Sequence, residues 1–419
     1  MRKHFKDNIS FFAENARWLT AGFLLTLFSS FGQTFFIGLA GNHLRAAYHL
    51  SGGEFGALYM LATLASASTL PFIGRTLDLM AGWKVVGFSM PVLAVACVLI
   101  TVAPNVAVLG IALYLLRLFG QGMMTEIAFT EIGRWFVANR GRAMAIVVPG
   151  QPLGSALLPV VVVLIDQASG GWHMAWWLSA AVLMLVGLPL IATLMRVERE
   201  PRSADIGARE AQTARDWTRG EVVRDPMLYL LLVGLLAPPF IGTTIFFQQG
   251  YLISLRGYSA LEFAAAFPVM SVATVLFGFV CGALIDRYGA LRLLPYLLIP
   301  LGFASLAVAL VTPVWGVYVF MLLLGVSFGF TGTLMGALWP EVYGLANLGG
   351  IRSIIVAAMV LSTAIGPGVS GVLIDRGVPL PTQMLGMAVW CAVASLCLTI
   401  ASRRILARRA REEGLAQPA

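Results

Sequence analysis

Long apolar runs alternate with short polar interruptions along the chain, and twelve of the runs reach the roughly 20 residues that cross a bilayer. They centre on Trp18–Asn42, Gly53–Gly74, Lys84–Ala103, Val106–Thr130, Ala143–Ile165 and Met174–Met195. A second set follows at Met227–Leu255, Leu261–Ile285, Leu291–Val311, Val314–Trp339, Ser353–Ile374 and Gln383–Ser402. The predicted class is an all-α polytopic membrane protein of 12 transmembrane helices. The one long polar stretch, residues 196–225, mixes arginines with acids and is expected to be a cytoplasmic linker with room for a surface helix. It separates two six-helix halves, 1–195 and 226–402, and a basic tail follows at 403–419. Pro149 with Pro152, Pro238 with Pro239, and Gly366 with Pro367 predict bends in spans 5, 7 and 11. The first 17 residues are polar and basic, and the apolar run behind them is longer than a signal-peptide core, so it reads as a retained first span.

A charged interruption between spans 2 and 3, Gly74 to Lys84 (GRTLDLMAGWK), returns between spans 8 and 9 around Gly282, Asp286 and Gly289. Asp78 and Asp286 are 208 positions apart. Glu131 and Glu341 differ by 210, as do Arg142 and Arg352, and Asp166 and Asp375 differ by 209. Four charged positions recurring with nearly one offset mark two parallel structural repeats, the organisation of one large class of secondary transporter.

Composition agrees with lipid as the main solvent. Only 11% of the 419 residues are charged and mean hydropathy is +0.85, against roughly 25% charged in a soluble domain. The net charge of +8 does not point to nucleic acid, because the basic residues sit in short loops and at the ends. Of 28 lysines and arginines, 24 fall on one side; Arg45, Arg256 and Arg376 fall on the other, and Arg117 lies within a span. That asymmetry places both termini in the cytoplasm of a multi-pass inner-membrane protein. The tail arginines are expected to meet anionic lipid. The four cysteines lie in apolar runs without metal-ligand spacing, and the four histidines lie at ends or in loops. No metal, cofactor or nucleotide loop is expected, and no nucleophile–base pair suggests an enzyme.

These motifs resemble the major facilitator superfamily. GRTLDLMAGWK is similar to its loop 2–3 signature, with Leu79 in place of the usual basic residue, while the second copy keeps Arg287. RLFGQG from Arg117 resembles its arginine-bearing fourth-span motif. RWFVANRGRAMAIVVPGQPLG, Arg134 to Gly154, resembles the monocarboxylate and oxalate/formate branch; FFQQGYL at Phe246 and NLGGIRS at Asn347 are also suggestive. The chain departs from that branch at span 1, which has Gln33 where an acid might stand, and it lacks the fifth-span motif of drug/proton antiporters.

Arg117 stands about 18 Å deep at 1.5 Å per residue and has no charged counterpart in the second half. A charge there costs at least about 2.5–3.5 kcal/mol, so it must face a partner or a cavity. It is the candidate counter-charge for an anion or a coupling residue, with a structural helix–helix pair as the alternative. Gln121 shares its face; Glu126, nine residues on, falls on the opposite face and is the candidate proton carrier or a gate residue, satisfied by a partner such as Arg134. Gln33, Gln121, Gln151, Gln248, Gln249 and Tyr251 would line a polar, mostly neutral pocket, or else make helix–helix hydrogen bonds. Asp78, Glu131, Arg142, Asp286, Glu341 and Arg352 form the expected cytoplasmic gate, with topogenic charge and helix capping as the competing account. The resulting expectation is a monomeric secondary transporter carrying a small, monocarboxylate-like organic anion with protons, by alternating access. The alternative is an exporter of a larger amphipathic compound such as a drug or siderophore.

Overall fold

The computed structural model describes residues 2–136, 139–197, 199, 217–344 and 348–415. Most of the expected linker and Asn347 lie outside the described residues. Among the described residues, twelve helices are long and apolar enough to cross a membrane. Spans 1–6 are Phe11–Leu39, Gly52–Gly74, Gly82–Val102, Val106–Trp135, Gly141–Ser169 and His173–Met195. Spans 7–12 are Pro226–Phe247, Ala260–Tyr288, Ala290–Leu310, Trp315–Tyr343, Ile354–Asp375 and Leu380–Arg411. The protein is therefore an all-helical, multi-pass membrane protein.

The helices group into two compact units. One comprises Met1–His49 with Leu61–Ala211; the other comprises Leu50–Met60 with Gln212–Ala419. Span 2 is thus divided, its first turns packing in the second unit and the remainder in the first.

In the first unit, span 1 packs on spans 4, 5 and 6, and span 3 on spans 4 and 6. The start of span 1 closes the end of span 6: Arg17 donates to Leu194 O (2.7 Å) and Thr193 O (2.6 Å), and Trp18 Nε1 to Val197 O (2.8 Å). These are the carbonyls a helix C-terminus leaves without an intrahelical partner. Arg199 is buried as well, donating to Asn15 Oδ1 (3.1 Å) and to Trp135 O.

In the second unit, span 8 packs on span 10, span 9 on spans 10 and 12, and span 7 on span 11. Glycines set the closest approach. A Cβ on Gly329 would lie 2.7 Å from Gly278 N, so only a residue without one lets span 10 meet the span 8 backbone. Span 7 breaks at Leu236, just ahead of Pro238, where the ring cannot continue the hydrogen-bond ladder. Leu236 O accepts from Phe240 N (3.2 Å) and, as a second donor, from Ser362 Oγ (2.8 Å). Span 5 is likewise interrupted at Val148 and Pro149. The third expected bend differs, since one helix, Leu348–Asp375, runs through Pro367 without interruption.

Two helix ends on the arginine-poor side are closed in the same way, once in each repeat. Tyr48 donates to Ala103 O at the end of span 3 (2.6 Å), and Tyr258 to Thr312 O beyond the end of span 9 (2.5 Å). Burial pushes both phenols above their ordinary value, which keeps them protonated donors. Ser51 with Glu54 and Ser259 with Glu262 then form reciprocal capping boxes that start spans 2 and 8.

A polar knot ties the described end of the linker to the tail. A short helix, Arg219–Arg224, starts from a Thr218–Glu221 capping box. Asp225, which caps span 7 through Met227 N (3.1 Å), is held by Arg408 Nη1 (3.1 Å) and by the Tyr343 hydroxyl (3.3 Å). Trp217 lies under the Arg408 guanidinium (4.6 Å) and meets Tyr343 edge-on (5.4 Å). The tail helix continues to Leu415, so Arg408 and Arg409 pair with Asp225 and Glu341, while Arg403, Arg404 and Arg411 are exposed. Only part of the basic tail therefore faces outward, toward solvent or lipid.

Asp225 is 5% exposed, so removing its cation leaves a buried carboxylate with neutral donors only. Arg408→Ala is expected to cost about 2 kcal/mol and lower the unfolding midpoint in detergent by several degrees. Arg411→Ala, at an exposed position, should leave that midpoint unchanged.

Candidate functional site

Arg117 is 3% exposed, and both its own helix and the span 1 segment it meets are irregular. Span 1 is α-helical to Phe28, narrows to a 3₁₀ turn over Ser29–Gly32, becomes extended at Gln33 (ψ 152°) and resumes as Thr34–Leu39. No proline causes this. The run Thr26, Ser29, Ser30 supplies hydroxyls that compete with the helix ladder: Ser29 Oγ donates to Thr26 O (2.6 Å), and Thr26 Oγ1 reaches Val147 O (2.7 Å) at the interruption in span 5. Span 4 widens into a π-helix over Leu116–Met124, and span 6 does so over Leu183–Gly187. Such widened turns are rare and concentrate at functional sites.

The two irregular stretches meet glycine to glycine. A Cβ on Gly32 would lie 2.6 Å from Gly120 Cα and Gln121 N, and one on Gly120 would lie 2.5 Å from Gly32 Cα. Where the backbones touch, Arg117 Nη1 donates to Gly32 O and Thr34 Oγ1, both at 3.3 Å. The guanidinium thus occupies the break in span 1 and meets a carbonyl that the helix leaves over. Gln121, one turn along, is half-buried, and its Oε1 accepts no hydrogen bond from the described residues. Gln33 and Gln151 are half-buried in the same unit, Gln33 at the break itself and Gln151 in the first turn of Gly150–Ser169.

The remaining glutamines lie in the second unit. Span 7 ends at Gln248, where φ is −90° and ψ 13°, and a further helix runs over Gln249–Arg256. Gln248 and Gln249 are 3% and 1% exposed, and Tyr251 is half-buried. Nearby the second unit is aromatic: Phe246 packs on Phe267 (5.7 Å) and Phe328 (6.1 Å), and Phe263 on Phe267 and Phe320. One polar group forms around Arg117 in the first unit, and a second, neutral one forms around Gln248 in the other.

Glu126 is exposed and takes a hydrogen bond from Thr130, on its own helix. Its expected partner Arg134 is paired instead with Glu131 (3.6 Å) and donates to Leu77 O (2.6 Å), because i,i+3 spacing on one helix brings 131 and 134 together.

The loop charges divide. Glu341 accepts from Ala290 N (2.8 Å), the first residue of span 9, and pairs with Arg409 (3.5 Å). Its repeat mate Glu131 lies against Gly82, the first residue of span 3, where a Cβ would be 2.8 Å from the carboxylate. Both glutamates therefore sit at a helix N-terminus within their own unit, where the helix dipole favours a negative charge. Arg142, Asp286 and Arg352 are exposed, and Arg142 also covers the Phe11 ring at 4.9 Å. Asp78 lies in the short helix Thr76–Leu79.

Twelve spans, helices broken around buried polar side chains and duplicated helix-end caps define a polytopic membrane protein built from two repeats. The chain belongs to the Major Facilitator Superfamily, whose family model matches residues 22–367. Among curated proteins it is 25% identical over 287 residues to the agnestins efflux protein AgnL12 of Paecilomyces divaricatus, covering 67% of this chain. It is 24% identical over 268 residues, 61% of this chain, to an MFS-type transporter of Gibberella moniliformis. The chain spans 61% and 60% of the lengths of these two relatives. Among solved structures, the nucleoside transporter NupG superposes with a TM-score of 0.70 at 13% identity, covering 92% of this chain and 99% of that one. A bacterial homolog to the human lysosomal transporter Spinster, in an inward-facing and unoccupied conformation, gives 0.69 at 16% identity, covering 94% and 98%. At these identities the structural likeness concerns the fold.

The Gly32–Gly120 contact makes a definite demand on sequence. Gly120→Ala is expected to destabilise the protein by at least about 2 kcal/mol, because backbone rather than a flexible side chain must give way. Gly87→Ala, with nothing within 4 Å of its new methyl, should be neutral in the same thermal-unfolding assay.

Proposed function

We propose that this protein is a secondary active transporter of a small organic anion of monocarboxylate type, moved together with protons by alternating access. The observation that carries the reading is the buried Arg117 guanidinium at the break of span 1. A buried cation fixed at a helix break matches a carboxylate in both charge and geometry. The resemblance of Arg134–Gly154 to the monocarboxylate and oxalate/formate branch supports the same class. In this reading Gln33, Gln121 and Gln151 orient the anion, Gln248 and Tyr251 complete its recognition, and Glu126 carries the proton. Asp78, Arg142, Asp286 and Arg352 make and break the contacts of a cytoplasmic gate, and Glu131 and Glu341 anchor the helices that bear it. The protein works as a monomer in the inner membrane with both termini cytoplasmic.

A second reading, export of a larger amphipathic compound, is favoured by the likeness to an efflux protein, AgnL12, and by the aromatic packing of Phe246, Phe263 and Phe267.

Uptake of a panel of radiolabelled mono- and dicarboxylates into proteoliposomes, with and without an inward proton gradient, tests the choice. One acid should accumulate under the gradient, and Arg117→Ala should slow it at least tenfold, about 1.4 kcal/mol. Arg117→Lys should not restore it, since a point charge does not replace a planar fork. Wild-type transport by Arg117→Ala would leave that residue a purely structural role, and failure of every acid would favour the exporter.

A further inference from the structure

Beyond its break, span 1 continues as Thr34–Leu39 and then as a short helix, Gly41–Ala47, on the arginine-poor side. Arg117 holds the near end of this segment through Thr34 Oγ1, and Phe36 meets Trp176 of span 6 edge-on (4.8 Å). Tyr48 fastens the far end through Ala103 O. None of these contacts changes charge near neutral pH. One other contact of the segment does.

His43, in the short helix, places Nε2 3.9 Å from Asp166 Oδ2 in span 5. Its ring stacks on Trp172 (6.1 Å, 16° between the planes), and Trp172 stacks in turn on His173 (4.1 Å). Asp166 stands in the last turn of Gly150–Ser169, at the negative end of that helix dipole, so the corner draws a cation. His173 is the first residue of its own helix, at the positive end, where a second positive charge is disfavoured. Asp166 and His173 are the titratable groups that the neighbouring elements present to His43. Arg45 lies on the same short helix, two residues on and so about 200° round its axis.

The internal repeat singles this corner out. Asp375, the repeat mate of Asp166, gives its carboxylate to Gly52 N (2.9 Å) and Gly53 N (2.6 Å), donors that do not titrate. At the 209-residue offset of the two aspartates, His43, Trp172 and His173 correspond to Leu252, Pro381 and Thr382. One copy of the aspartate is met by backbone, the other by the one side chain that ordinarily changes charge between about pH 5 and 8.

We propose that His43 and Asp166 form a proton sensor on the arginine-poor side, which fastens the outer segment of span 1 to spans 5 and 6 when the imidazole is protonated and loosens it when the proton leaves. A carboxylate is ordinarily ionised over that range. The attraction, and the contact of a charged ring with the indole, are therefore present in acid and lost as pH rises through the imidazole range. The two side chains are 48% and 36% exposed, so solvent protons reach them and water screens them. The sensor shifts a local equilibrium and leaves the fold in place. What it adjusts is the segment bearing Thr34, one of the two groups that Arg117 holds, whichever solute the protein carries.

Hydrogen–deuterium exchange of the full-length protein in lipid nanodiscs, at about pH 5.5 and about pH 8 and corrected for the intrinsic effect of pH on amide exchange, tests the sensor. Exchange across residues 40–48 should be about threefold slower in acid, the scale of an exposed ion pair. His43→Gln and Asp166→Asn should each abolish that difference, whereas His173→Gln should keep it. Neither of the first two variants alters the Tyr48 cap, and residues 259–266 should exchange alike at both pH values throughout, which reports an intact fold. A pH difference that is absent from the wild type, or that survives in His43→Gln or in Asp166→Asn, overturns the sensor and leaves the pair an ordinary surface contact.

Discussion

In the hydrocarbon of a membrane an unpaired backbone amide or carbonyl costs several kcal/mol, and no water is available to meet it. The interruptions in spans 1 and 5 are organised by that demand: Thr26 meets Val147 O at the break in span 5, and Arg117 meets Gly32 O at the break in span 1. Helix ends follow the same logic with tyrosine hydroxyls on C-termini and carboxylates on N-termini. Polar side chains in this protein are placed chiefly where backbone would otherwise be stranded. Their distribution follows from the helix interruptions as much as from any ligand.

The internal repeat separates scaffold from specialisation. The reciprocal Ser–Glu caps, the two tyrosine caps and the pair Glu131 and Glu341 recur because both halves must end the same helices in the same places. What fails to recur is concentrated near the middle of the spans. Arg117 falls opposite Val326 or Ser327, and Ser327 is fully buried with a hydroxyl that finds no partner among the described residues. The first unit breaks span 1 with serines and threonine, whereas the second breaks span 7 with proline and surrounds it with phenylalanine.

Much of this architecture can be read without coordinates, and the exceptions have physical causes. Apolar run length located all twelve spans, because crossing lipid leaves little freedom, but spans 1, 7 and 12 each differ at one end by more than a helical turn, where helix continues past the apolar run or breaks inside it. Proline predicted the breaks in spans 5 and 7 but not the one in span 1, where hydroxyl competition and a glycine contact act only once neighbouring helices are in place. The π turns of spans 4 and 6 carry no local signature at all. Pairing Glu126 with Arg134 failed because a closer carboxylate, Glu131, stands one turn from the arginine. The Ser-x-x-Glu boxes at 51–54 and 259–262 were legible from spacing and offset alone, yet apolar periodicity draws attention away from them. Arg117 was legible as a residue needing a partner; that its partner is the backbone of a broken helix was not.

That partnership changes what a single arginine can do. A guanidinium offers donors in a fixed planar fork, and one nitrogen of Arg117 is committed to Gly32 O and Thr34 Oγ1. An anion drawn to the same group would compete with, or reorient, the donor that holds span 1 at its break. The extended residue Gln33 and the unmet Gln121 Oε1 flank that point, so any shift of the guanidinium is felt first where the backbone is least regular. Structural support and charge recognition are then one interaction with two possible acceptors. The shape of span 1 becomes the variable through which occupancy of the site would be expressed.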